Sequence, residues 1–130
     1  MSYVFVDRIL ECTPGESVTA LKALSFNEEL FRDHFPGMPV LPGAMILEGF
    51  VQASRHCLDL GEGEGGAWIL DAVEAMRFNR FARPGDLLRL EASVDKREGG
   101  RIWFKGRARV GEEGVCRLRF AVRRREASGD

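Results

Sequence analysis

The chain has 130 residues, a net charge of −1, 45% hydrophobic and 30% charged residues. This is the composition of one globular domain with room for a core, and it excludes a disordered or fibrous chain. There is no apolar run long enough to span a bilayer and no basic segment leading into an apolar one at the start, so the expectation is a soluble, cytoplasmic protein with no membrane span.

Cys12, Cys57 and Cys116 are widely spaced among apolar neighbours, which predicts buried free thiols. With only 2 histidines and no Cys-x-x-Cys or His-x-x-x-His spacing, no metal site and no cofactor are expected. Charge is unevenly spread: residues 1–95 carry 8 basic and 15 acidic side chains, residues 96–125 carry 11 and 3. The basic part reads as a solvated sheet face. As a docking surface it suits an acidic protein better than nucleic acid, because few aromatics interleave with the arginines.

In chain order, residues 3–12 and 17–25 read as two strands joined by the Thr13-Pro14-Gly15-Glu16 turn. Asn27 ahead of Glu28 and Glu29 predicts a short helix over about 28–31. From Arg32 to Pro42 the chain holds Pro36, Pro39 and Pro42, which forbid regular helix and stiffen the loop carrying His34.

A long helix is then expected from Gly43 or Ala44 to Leu60, ended by Gly61. Between Ala44 and Ala53 the only polar side chains are Glu48 and Gln52, four apart and on one face, so the helix reads as buried. A carboxylate there suits a general acid, and the free N–H groups after Pro42 suit a polarised carbonyl.

Four strands follow, over about 68–81, 87–97, 101–110 and 115–124, with Gly-rich turns between the last ones. Ile102, Phe104, Gly106, Ala108 and Val110 alternate with polar or outward residues, as do Cys116, Leu118, Phe120 and Val122. Pro84-Gly85-Asp86 reads as a turn. A hairpin, a buried helix and a meander make an α+β architecture in which an antiparallel sheet curls around one helix.

The stretch His34-Phe35-Pro36-Gly37, Pro39-Val40, Pro42-Gly43, then Glu48 fourteen positions after the histidine and Gln52 four further on, resembles the FabA/FabZ family of β-hydroxyacyl-acyl-carrier-protein dehydratases, closest to the FabZ branch. The resemblance covers about residues 5–122. It implies a single hotdog domain over 1–130. It also implies dehydration of 3-hydroxyacyl thioesters on acyl carrier protein to trans-2-enoyl thioesters, in fatty-acid or related polyene or polyketide synthesis.

By that resemblance His34 is the base and Glu48 the acid, with Gly43, Ala44, Gln52 and Val40 at the substrate, and the family assembles as dimers, some of them trimers of dimers. Two alternatives stand beside it: a hotdog acyl thioesterase, against which the intact His-Phe-Pro-Gly argues, and a non-catalytic acyl-binding subunit of a hetero-oligomeric dehydratase, in which His34 or Glu48 would be lost.

Overall fold

The computed structural model describes residues 6–24, 43–63 and 67–125. The short helix expected near 28–31, the proline loop, His34 and Val40 lie outside the described residues. Along the chain come β1 (Arg8–Thr13), β2 (Ser17–Ala23), the helix α1 (Gly43–Glu62), β3 (Trp68–Phe78), β4 (Leu87–Glu98), β5 (Arg101–Val110) and β6 (Glu113–Arg124).

All strand pairs are antiparallel, in one six-stranded sheet ordered β1-β2-β4-β5-β6-β3. The first hairpin therefore adds onto β4, and β3, which precedes the meander in sequence, closes its far edge. Among the described residues no helix is long and apolar enough to cross a membrane.

α1 lies against the inner face of the sheet. Ile46, Phe50, Ala53 and Cys57 recur at helical spacing and are buried, as are Phe104, Phe120, Leu118 and Val122 beneath them. Phe104 and Phe120 stack with centroids 5.3 Å apart, and Phe50 tilts over Phe120 at 5.9 Å. Gly106 makes room for the helix: a Cβ there would stand 3.0 Å from the Phe50 ring and 2.9 Å from Leu118.

Gly61 does not stop the helix, contrary to the sequence reading. It sits inside the last turn because the hairpin turn presses on it, where a Cβ would meet the Gly15 nitrogen at 2.4 Å. Gly63 ends the helix, with φ 84° and its N–H bonded to the Asp59 carbonyl at 3.1 Å. The three thiols are free, two of them fully buried.

The outer face carries the charges. Asp71 holds Arg101 and Arg123, Glu91 holds Arg107 and Arg109, and Asp95 holds Arg119 and Lys105, with Glu74 also on Arg119. Trp103 points to this face yet is only 7% exposed, because the Arg119 guanidinium covers its ring at 4.7 Å.

Candidate active site

α1 positions four of the expected site residues. Gly43 and Ala44 open its first turn, where backbone N–H groups have no partner within the helix. Glu48 follows in the second turn and Gln52 one turn later on the same side, so the two neighbour each other along the helix.

The helix is not buried all round. Its sheet side is closed, but Met45, Leu47, Glu48 and Gln52 are half-buried and Ala44 is exposed. One sheet can cover only one side of a helix, and the side bearing Glu48 faces away from it. Among the described residues Glu48 makes no hydrogen bond or ion pair.

Gln52 has a long-range tie. Its Oε1 accepts the Val6 N–H at 3.2 Å, pinning the chain ahead of β1 to the middle of α1. That is a polar anchor across 46 positions, in a place where an unpaired amide would be costly.

The end of β3 covers the start of the helix, which the sequence reading did not foresee. A Cβ on Gly43 would lie 3.1 Å from the Phe78 ring and 3.8 Å from Met76, so the two elements meet closely and a side chain there would have to push the Phe78 ring aside by a few tenths of an ångström. Phe78 stays 40% exposed. The available signal was the half-apolar Met76-Arg77-Phe78 run, but nothing local says which element it will meet.

The turn Pro84-Gly85-Asp86 secures the point where β2 leaves for residues 25–42. The Leu24 N–H donates to the Asp86 carbonyl at 2.9 Å, and Gly85, at φ 95°, donates to the Leu24 carbonyl at 2.7 Å. The Asp86 carboxylate accepts from Arg80 at 2.9 and 3.3 Å and from the Arg83 N–H at 2.9 Å. Burial alone would raise its pKa, but these donors outweigh it and hold the carboxyl below its usual range.

No group of three or more His, Cys, Asp or Glu able to hold a metal occurs among the described residues. The chemistry that the described residues offer is a half-buried carboxyl on the helix side away from the sheet, first-turn N–H groups without a partner inside the helix one turn before it, and apolar side chains around both.

An antiparallel sheet wrapped on a single long helix defines the hotdog class, and solved structures agree. Similar chains are the dehydratase heterocomplex ApeI:P from Xenorhabdus doucetiae (TM-score 0.74, 14% identity, 96% of this chain and 85% of that one), a hot-dog-like protein from Thermanaerovibrio acidaminovorans (0.72, 19%, 85% and 82%), and a probable thioesterase from Bartonella henselae (0.69, 18%, 88% and 95%). At these identities the likeness concerns the fold alone, and that fold hosts more than one chemistry.

The FabA-like domain matches residues 2–119, and the chain belongs to this family. Among its relatives, a 3-hydroxyacyl-[acyl-carrier-protein] dehydratase FabZ from Variovorax paradoxus is 40% identical over 118 residues, 88% of this chain and 79% of that protein. The protein of the same name from Anaplasma phagocytophilum is 40% identical over 112 residues, covering 83% and 77%.

Proposed function

We propose that this chain, acting as one hotdog domain, dehydrates 3-hydroxyacyl thioesters on acyl carrier protein to trans-2-enoyl thioesters, in fatty-acid or related synthesis, in the cytoplasm. The observation that carries the reading is the 40% identity to dehydratases so named across 88% of the chain. Glu48 on the side of α1 away from the sheet supports it. Elimination needs a base for the α-proton and an acid for the departing hydroxyl, and no metal or cofactor is required for either.

His34 takes the α-proton. Glu48 protonates the hydroxyl as it leaves as water. The Gly43 N–H, with Ala44 beside it, receives the thioester carbonyl as negative charge develops there, a contact worth about 3 to 4 kcal/mol in comparable sites. Val40 lines the acyl chain, and Gln52 keeps α1 in register with the N-terminal segment.

The working unit is a dimer, open to further assembly as a trimer of dimers. β3 is an edge strand whose Leu70, Val73 and Phe78 are 38%, 41% and 40% exposed, and the Glu48 side of α1 faces away from the sheet. Two-fold pairing covers both, and places His34 of one chain opposite Glu48 of the other.

Turnover of a 3-hydroxyacyl thioester by the purified protein separates a dehydratase from a thioesterase, which releases free thiol, and from a non-catalytic subunit, which does neither. Glu48→Gln should lower kcat by about 10²- to 10⁴-fold. Co-expressing it with His34→Ala and isolating the mixed dimer tests the shared site. Activity near half of wild type supports sharing across the interface; a mixed dimer as inactive as either parent refutes it.

A further inference from the structure

Two of the three free thiols meet where the first hairpin rests on α1. The Cys57 Sγ, fully buried in the helix, lies 3.5 Å from the carbonyl oxygens of both Thr13 and Ser17, with one proton to give to either. Those two residues stand directly opposite each other at the closed end of the β1–β2 hairpin. Cys12 immediately precedes Thr13 and stands opposite Val18, which is inward and buried. Opposite residues of an antiparallel pair share a face, so Cys12 also turns inward, and it packs against the core cluster that contains Cys57. The two sulfurs come within hydrogen-bonding reach of each other.

The joint around them is held at several points. The Gly15 N–H donates to the Cys57 carbonyl at 3.0 Å, and the Gly15 carbonyl accepts from Arg97 of β4 at 2.9 Å. Arg97 also pairs with Glu62 at the end of α1, at 3.1 Å. Together with the close approach of Gly15 to Gly61, these contacts fix the spacing of hairpin, helix and β4, and with it the spacing of the two thiols. Groups held in this way react with each other as though at high concentration.

Access to the three cysteines differs. Cys12 is only half-buried, whereas Cys57 and Cys116 are 0% and 1% exposed. Cys116 stands on β6 between Ala108 and Phe78, at the other end of the sheet order from β1. One thiol of the pair is therefore open to a reagent, its neighbour is placed to follow, and the third is set apart.

We infer that Cys12 and Cys57 are a disulfide-forming pair, oxidised by small-molecule disulfides of the glutathione class, whose bond latches the first hairpin to the C-terminal half of α1. The Cys12 thiolate attacks one sulfur of the small disulfide, forming a mixed disulfide and expelling a thiolate that takes up the proton Cys12 lost. Cys57 then gives up its proton and attacks the Cys12 Sγ, and the second small thiol leaves. The two protein thiols lose two electrons, and one small disulfide becomes two thiols. Burial and the adjoining Cys57 push the Cys12 thiol up to about 11, so thiolate is scarce at neutral pH and the exchange is slow.

The bond closes a loop of about 45 residues, long enough for the cross-link to restrict the unfolded chain strongly. That loop includes His34 and Glu48, so the latch stabilises the segment bearing both site residues of the proposed function. The latch itself does not depend on that function.

The test treats reduced protein with excess oxidised glutathione, quenches it in acid and analyses it by mass spectrometry. The thiol count should fall from three to one, the intact mass should drop by two hydrogens, and digestion should yield the Cys12 peptide joined to the Cys57 peptide with Cys116 free. A second arm refolds the protein from urea in the same buffer, where burial no longer limits the rate. The oxidised form should melt about 5 °C or more above the reduced form, a gap that dithiothreitol abolishes and that Cys12→Ser does not show. Cys116→Ala should still form the bond. Three thiols retained in both arms, or a glutathione adduct on Cys12 that does not close onto Cys57, overturns the latch. So does a bond that uses Cys116 or joins two chains, or an oxidised form no more stable than the reduced one.

Discussion

On the inner face of the sheet Phe120 stacks on Phe104 and meets the Phe50 ring of α1, and all three are fully buried. On the outer face of the same strands, arginines and carboxylates pair across the rows while half in water. The two faces do not contribute similar energies. Burying an aromatic ring removes a large apolar area from water, whereas an exposed ion pair exchanges good solvation for a screened attraction. The fold rests on the inner face.

The strongest way to break this comparison is Phe120→Ala. It removes the ring touched by both Phe50 and Phe104 and should cost about 3–5 kcal/mol in urea denaturation. A loss below 1 kcal/mol would mean that the helix does not depend on this packing.

Asp86→Asn sharpens the comparison, because its ion pair with Arg80 is mostly covered, with side-chain exposures of 15% and 18%. It should cost about 2 kcal/mol at neutral pH, the scale of a shielded charge-assisted hydrogen bond. Since the folded carboxyl is held below its ordinary value, the stabilisation is complete above the unfolded value of about 3.9 and is lost as pH falls through the folded one. The gap between wild type and variant should therefore narrow from pH 7 to pH 3. A gap that widens would contradict the assignment.

Gly106→Ala asks how tightly the helix sits on the sheet. The added methyl meets only the ends of the Phe50 and Leu118 side chains, which can yield, so about 1–2 kcal/mol is expected. The smallest effect is expected at Asp71→Asn on the outer face. Arg101 and Arg123 hold this carboxyl below its usual pKa, yet solvent screens them, and Tm should move by no more than about 2 °C. A larger fall would show that the outer lattice carries stability of its own.

The local elements were legible in the sequence because their signals are local. The apolar-to-polar alternation along β5 and β6 and the turn at Gly85 recur as read; of the helical stripe Ile46, Phe50, Ala53, Cys57 and Leu60 that the 3.6-residue period predicts, the first four are buried, while Leu60 in the last turn is 56% exposed. Gly61 shows the opposite case. As a letter it is a helix breaker, and only the approach of Gly15, 46 positions earlier, makes it a packing residue within the helix. Trp103 likewise reads as an exposed outward residue until Arg119 is laid across it.

The site divides along the same line. Glu48 and Gln52 were legible as a pair because helical spacing alone puts them on one side. Phe78 over Gly43, and Val6 tied to Gln52, were not, because each joins elements that lie far apart in the chain.

By itself, then, the sequence determined the helix, the strands, the inward and outward residues of the meander, and the spacing of Glu48 from its neighbours on α1. These follow from backbone periodicity and from what each residue loses or gains in water. Only the tertiary structure decided that β2 adds to β4 and that β3 closes the far edge beside β6. That choice set Arg77 against Arg117, because pairing between distant strands depends on how the whole core packs and not on any window of residues.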